Sequence, residues 1–218
     1  MAVGKLWDLE QKRLPGTNRP FYDLIVVDTP ATGHVVSYLQ MPMTAAETAK
    51  GFVRREARKV ADLLRDPLRT SFHIVTTPAE MPANEALDLY ENARSRLQLP
   101  MGRLFVNQVY PPFFEGADEE SYRRWRRDLE ETPEAGSTPH SAWADKEMAI
   151  LACAESWKKA RAVQETYLER LFSAFGEDRT TLLPFVAVPN ASIDMIQALA
   201  QSIEEPDETM KGGASAEL

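Results

Sequence analysis

A chain of 218 residues with 44% hydrophobic content is long enough to bury one sizeable core, and its formal net charge of −8 argues against a general nucleic-acid binder. No apolar run approaches the roughly 18–20 residues that span a bilayer, and the N-terminus lacks the apolar core of a signal peptide. The single cysteine, Cys153, excludes an internal disulfide and a multi-cysteine zinc site. These features predict a cytoplasmic protein with no membrane span.

The most informative stretch of the chain is residues 21–34, FYDLIVVDTPATGH. Its β-branched apolar run, Leu24–Val27, predicts a strand that is buried on both faces, as in a parallel sheet. Asp28 would then stand at the carboxyl end of that strand, where open α/β sheets bind their ligands. An aspartate in this place either holds Mg²⁺ in a phosphate-transferring enzyme or caps the next helix, and the strand alone leaves both interpretations open.

The rest of the chain alternates predicted helices and strands. Apolar runs predict strands at 72–77, 103–109 and 182–188, and helical spacing predicts helices at 40–66, 82–97, 115–175 and 193–203. This alternation predicts an α/β fold, with a mainly parallel sheet flanked by helices, in a single domain of residues 1–203. The acidic, Gly/Ser-rich residues 204–218 are expected to form a disordered tail.

Two helical segments carry side chains with more than one interpretation. The apolar residues of 40–66 either pack in the core or line a groove for a partner. The basic cluster at 123–127 is either a solvated helix face or an anion contact. Within 142–175, the apolar residues, Ile150, Val163, Leu168 and Leu171 among them, are expected to face the core.

The heptapeptide Asp28–His34, DTPATGH, resembles the D-T-A-P-T-G-H signature of the ArsA-type anion-transporting ATPases, with proline and alanine exchanged. That family includes the ATPases that target tail-anchored membrane proteins. Three further pieces resemble the family in the same order: FHIVTTPAEMPANEA at 72–86, FVNQ at 105–108 and VAVP at 186–189. The resemblance implies a P-loop NTPase-like fold and the cofactors ATP and Mg²⁺.

The resemblance also implies roles for individual residues. Asp28 would be the carboxylate on the Mg²⁺ side, and the loop that moves with nucleotide state would include Thr29, Thr32, Gly33 and His34. The adenine side would comprise Asn107, Gln108 and Pro189. An asparagine amide offers a donor and an acceptor to an adenine edge, although Asn107 could equally cap the end of its strand. His34 is expected to be a loop histidine bonded to backbone rather than a catalytic base.

The 218 residues contain no G-x-x-x-x-G-K-[ST] phosphate-binding loop, with which members of the resembled family begin. The fold is therefore expected to be truncated on its N-terminal side and to expose a sheet edge, which predicts a homodimer or pairing with a partner ATPase subunit. Two functions stay open. The chain is either part of an ArsA-type ATPase completed elsewhere, inactive alone, or a degenerate, non-catalytic interaction or regulatory partner of an intact ATPase. Cys153 alone supports neither an arsenite site nor a zinc-linked dimer.

Overall fold

The computed structural model describes residues 2–29, 32–112, 117–130, 142–186, 192–205 and 210. The helices in this part of the chain are α1 (Ala2–Gln11), α2 (Thr32–Thr48), α3 (Gly51–Arg65), α4 (Glu80–Glu91), α5 (Ala117–Glu130), α6 (Ala142–Phe175) and α7 (Ile193–Glu204). The strands are β1 (Phe72–Thr76), β2 (Met101–Val109) and β3 (Thr180–Pro184). A π-helical turn, Asn92–Leu97, extends α4, and a short 3-10 turn, Glu177–Arg179, leads into β3.

The three strands form one parallel sheet in the order β1-β2-β3. The amide of Phe72 donates to the carbonyl of Pro100 at 2.8 Å where β1 begins, and the amide of Phe185 donates to Val109 at 2.8 Å where β3 ends. The central strand β2 buries Leu104, Val106 and Val109 completely. The predicted fold class, a mainly parallel sheet flanked by helices, is confirmed, as are the strands near 72, 103 and 182.

The contacts divide the chain into two compact units, each with its own packing. Unit 1 comprises Met1–Val75 and Met81–Leu104, and unit 2 comprises Thr76–Glu80 and Phe105–Leu218. In unit 1, α2 packs against α3 and buries the apolar residues Val35, Leu39, Met43, Val60, Leu63 and Leu64. In unit 2, α7 packs against β3. The single domain of residues 1–203 stays a prediction.

The strand predicted at residues 24–27 is wrong. These residues have no regular secondary structure, and Leu24, Val26 and Val27 are 79%, 83% and 53% exposed. A strand needs a neighbouring strand whose carbonyls accept hydrogen bonds from its amides and whose amides donate to its carbonyls. Within the described residues the sheet contains only β1, β2 and β3. The apolar run thus has the composition of a buried strand without a partner to bury it.

Two other expectations fall partly outside the described residues. Most of the predicted disordered tail at 204–218 lies there, so the tail stays a prediction. Met210, which is described, is buried, and its carbonyl accepts a hydrogen bond from Arg161 Nη2 at 2.8 Å. Residues 131–141, within the predicted helical segment 115–175, also lie outside the described part. None of the helices described is long and apolar enough to cross a membrane.

An ion pair joins α1 to the turn that follows α3. Arg69 contacts both carboxylate oxygens of Glu10, with Nε at 3.2 Å from Oε1 and Nη2 at 2.8 Å from Oε2. The hydrogen bond from Arg69 lowers the pKa of Glu10, and burial opposes this effect. Because the folded-state pKa is depressed, the pair stabilises the fold above the pKa of an unfolded glutamate, and this stabilisation is lost as pH falls through the folded-state value.

We expect the substitution Glu10→Gln to lower the free energy of unfolding at neutral pH by roughly 0.2–1 kcal/mol, because the pair is only partly shielded from water. The difference from wild type should vanish under acid conditions, where Glu10 is protonated in both folded and unfolded chains. Urea unfolding across a pH series measures this, with Glu47→Gln at an exposed position of α2 as the control. An unchanged difference in acid would contradict the assignment.

Candidate functional site

The end of β2 turns sharply at Asn107 and Gln108. Gln108 has φ of 60°, in the left-handed region that residues other than glycine seldom occupy. Its backbone amide donates to Asn107 Oδ1 at 2.9 Å. This is the bond that the capping interpretation of Asn107 predicts. This hydrogen bond uses one lone pair of the Asn107 side-chain oxygen. The second lone pair and the two N–H groups of Nδ2 do not take part in it.

Helix α6 holds the backbone on either side of this turn through one glutamine. Gln164 is 9% exposed, and its side chain makes two opposed hydrogen bonds. Its Nε2 donates to the carbonyl of Gln108 at 2.9 Å, and its Oε1 accepts from the amide of Tyr110 at 2.8 Å. The side-chain amide of Gln164 therefore makes the hydrogen bonds that a neighbouring strand would make in a sheet. It satisfies one backbone donor and one backbone acceptor at the point where the chain leaves the sheet.

Arg161, one turn before Gln164 on α6, extends the same contact. It is 5% exposed, and Nη1 donates to the carbonyl of Tyr110 at 2.8 Å. Nη2 donates to the carbonyl of Met210, and Nε pairs with Glu165 at 3.0 Å. A buried guanidinium is tolerated only where its charge and its N–H groups are matched, and these three contacts meet that requirement.

Three aromatic rings pack beside the turn. The rings of Tyr110 and Trp157 lie 4.5 Å apart, and Phe185 lies 5.1 Å from Tyr110 and 6.0 Å from Trp157. The indole Nε1 of Trp157 donates to the carbonyl of Pro111 at 3.3 Å. Such tilted and edge-on arrangements are favourable for aromatic pairs, and they fix the path of the chain after β2.

The residues predicted on the Mg²⁺ side have a different setting. Asp28 and Thr29 are exposed and belong to the segment without regular structure, so Asp28 does not stand at the edge of a strand as predicted. Thr32, Gly33 and His34 form the start of helix α2, so the prediction that they lie in a loop is wrong. The side chains of Thr32 and His34 lie outside the described part of the structure. Asp28 and Thr29 belong to unit 1, whereas Asn107 and Gln108 belong to unit 2. Pro189 lies outside the described residues.

The donor set around Asp28 can be compared with what Mg²⁺ requires. Among the residues that the structure describes, no three His, Cys, Asp or Glu side chains are grouped to hold a metal. Mg²⁺ in phosphate-transfer sites is usually bound by one or two carboxylates, with substrate phosphates and water completing the octahedron. A single exposed carboxylate such as Asp28 fits that role, but it does not form a metal site from protein ligands alone.

Sequence reasoning missed Arg161 and Gln164, the two polar residues that hold the turn. They continue the buried stripe of α6 that includes Leu168, Leu171 and Phe175, at alternating spacings of three and four residues. Ile150 and Val163, which were expected in the core, are exposed instead. The spacing was the signal that could have identified Arg161 and Gln164. It places them on the buried face of α6 even though both are polar.

Comparison with known proteins gives partial matches. ATPase BagA of Mycobacterium tuberculosis is 34% identical over 107 residues, which cover 49% of this chain and 31% of BagA. A protein of Halobacterium salinarum named arsenical pump-driving ATPase is 33% identical over 122 residues, covering 47% of this chain and 19% of that protein. No family model matches.

The chain is a distant relative of ATPases. A Mycobacterium bovis protein named as an ATPase matches with the same figures as BagA. The match covers less than a third of the length of each of these relatives, and it does not single out the ArsA type.

We expect the substitution Gln164→Leu to lower the free energy of unfolding by roughly 1–3 kcal/mol, because it leaves the Tyr110 amide and the Gln108 carbonyl without their partner. The exposed neighbour gives the matched control: Val163→Ala should change the stability by less than about 0.5 kcal/mol. Urea unfolding followed by far-ultraviolet circular dichroism measures both. Equal stability of Gln164→Leu and wild type would show that α6 does not hold the end of β2.

Proposed function

We propose that this chain forms the adenine side and the Mg²⁺ side of an ATP site in an ArsA-type ATPase, in which ATP hydrolysis is coupled to anion transport or protein targeting. The phosphate-binding loop would come from residues outside these 218. The observation that carries the proposal is the exposed apolar segment Leu24–Val27, which runs directly into the DTPATGH signature. The relationship to ATPases and the turn at Asn107 support it.

The segment before Asp28 suggests how the site is completed. Four consecutive apolar residues, of which Leu24, Val26 and Val27 are exposed, are suited to join a sheet whose next strand belongs to another polypeptide segment. Once paired, the segment would place Asp28 at the carboxyl end of a strand, where α/β sheets bind phosphates. We propose that this strand partner also carries the phosphate-binding loop.

The residues of this chain then have separate tasks. Asp28 would hold Mg²⁺, which when bound neutralises charge that develops on the transferred phosphoryl group. The Asn107 amide would accept from and donate to the adenine edge, and the left-handed Gln108 would fix the direction of that amide. Because phosphoryl transfer depends almost wholly on positioning and electrostatics, these residues without a phosphate loop should not give useful turnover.

One observation favours a second function. The phosphate-binding pattern is absent from the 218 residues, and a chain that kept the fold without the chemistry would serve as a non-catalytic regulatory partner of an intact ATPase. Such a chain needs neither adenine selectivity nor a Mg²⁺ ligand. The two functions therefore differ in whether Asn107 and Asp28 contribute to nucleotide binding.

We expect the chain to bind ADP in preference to GDP, with Mg²⁺ strengthening the binding. The substitution Asn107→Ala should weaken ADP binding by about fivefold to thirtyfold and remove the preference for adenine, because it deletes the two groups that read the base edge. Asp28→Asn should remove the effect of Mg²⁺ and leave the base preference intact. Calorimetric titration measures each affinity.

Matched positions provide the controls for this experiment. Asn92, whose Nδ2 donates to the Asp88 carbonyl, is an asparagine on the π-helical turn, and Asp23 is an exposed aspartate on the same segment as Asp28. Asn92→Ala and Asp23→Asn should bind nucleotide as wild type does. If ADP binds neither to the chain alone nor to the chain with a partner ATPase subunit, or if Asn107→Ala leaves that binding unchanged, the second function is the correct one.

We expect the exposed segment to mediate association, with itself or with a partner ATPase chain. The substitution Val26→Asp should shift the mass distribution toward monomer, because a charge in the segment opposes its burial between strands. Size-exclusion chromatography with light scattering measures the masses. The control is Leu68→Asp, at a 94% exposed position in the turn after α3. A wild-type chain that stays monomeric alone and with every candidate ATPase subunit would contradict the prediction.

A further inference from the structure

The first turns of α3 expose apolar and cationic side chains together. Phe52 is 68% exposed and Val53 is 59% exposed. Around them, residues 50–59 hold five cationic side chains and one carboxylate, although the whole chain has a formal charge of −8. We call residues 50–58 the α3 tip, and its exposed cationic residues are Lys50, Arg54, Arg55 and Arg58.

The stability of α3 does not account for this composition. Lys50 occupies the N-cap position and makes no side-chain capping bond, and the first turn contains no acidic residue. The cations follow directly, close to the helix end where the backbone dipole already favours negative charge. Residues that break local rules in this way are often retained for function, and here the rule broken is an electrostatic one that an external anion would relieve.

The apolar face of α3 is buried in the later turns of the helix but exposed at the tip. Val53 lies on the same side of the helix as Val60 and Leu64, which are buried, yet Val53 is exposed. Phe52 stands three residues before Arg55, so an aromatic ring and a guanidinium share one side of the tip. The tip thus presents apolar groups edged by cations.

We propose that the α3 tip binds the surface of an anionic lipid bilayer. The cations would contact the lipid phosphates, and Phe52 and Val53 would enter the boundary between headgroups and acyl chains. A nucleic-acid duplex would engage the cations through its phosphates but would leave Phe52 and Val53 without an apolar medium. The negative charge of the rest of the chain is repelled by such a surface, which orients the tip toward it.

Sedimentation of the full chain with vesicles tests the proposal. The chain should bind vesicles made of equal parts phosphatidylcholine and phosphatidylglycerol, and it should not bind vesicles of phosphatidylcholine alone. Binding should weaken as salt is added, because added ions screen the cations of the tip. No nucleotide is needed, so the result is independent of the proposed ATP site.

Two double variants separate the electrostatic and apolar contributions. R55Q/R58Q should weaken binding to the anionic vesicles by at least about tenfold, since each cation near such a surface contributes measurably. F52S/V53S should weaken it by a similar factor, about tenfold, because interfacial binding scales with the apolar area that is buried. Arg54 is left in place because its Nε donates to the carbonyl of Ala46.

Matched variants elsewhere serve as controls. R124Q/R127Q removes two exposed cations from α5, and L68S removes an exposed apolar side chain after α3; both should bind vesicles as wild type does. The proposal is overturned if the chain does not bind anionic vesicles at low salt, or if the controls weaken binding as much as the tip variants. It is also overturned if the chain binds a soluble polyanion such as transfer RNA through Arg55 and Arg58 and F52S/V53S binds vesicles normally.

Discussion

The backbone amides and carbonyls at the end of β2 need hydrogen-bond partners other than a neighbouring strand, and side chains of α6 supply them. Gln164 bonds the Gln108 carbonyl and the Tyr110 amide, and Arg161 bonds the Tyr110 carbonyl. These bonds hold Gln108 in a left-handed conformation that costs free energy on its own. The long helix therefore fixes the direction of the turn, and the turn fixes Asn107. Any role of Asn107 in reading a base depends on this contact.

The segment before Asp28 shows the opposite situation, because three of its apolar side chains are left exposed by the residues that the structure describes. Leu24, Val26 and Val27 remain exposed beside a signature that resembles a nucleotide-dependent switch. Leaving this much apolar surface in water is unfavourable, and larger exposed apolar patches commonly mark sites of association. The backbone at the end of β2 is thus held by side chains of α6, whereas Leu24–Val27 belong to none of the strands that the structure describes. This contrast is the physical basis for proposing an ATP site that is completed by other residues.

The sequence predicted the elements of the sheet better than the surroundings of the candidate site. The strands at β1, β2 and β3 and the helix α7 were predictable because apolar runs and helical spacing report burial directly. Leu24–Val27 has the same composition as those strands, but pairing depends on a neighbour that composition cannot reveal. The buried Arg161 and Gln164 were missed because only apolar residues were used to predict the buried face of α6, and both of these residues are polar. The left-handed Gln108 has no signal of its own, since glycine or asparagine is the usual residue in that conformation.

Photolabelling with an azidoadenine analogue of ATP reports which residues lie against the base, so it tests whether the end of β2 binds adenine. After trypsin digestion and mass spectrometry, we expect label in the peptide 104–123, which contains Asn107 and Gln108, and protection of that peptide by ADP. Label that is spread over the chain, or that ADP does not displace, would contradict an adenine site at the end of β2.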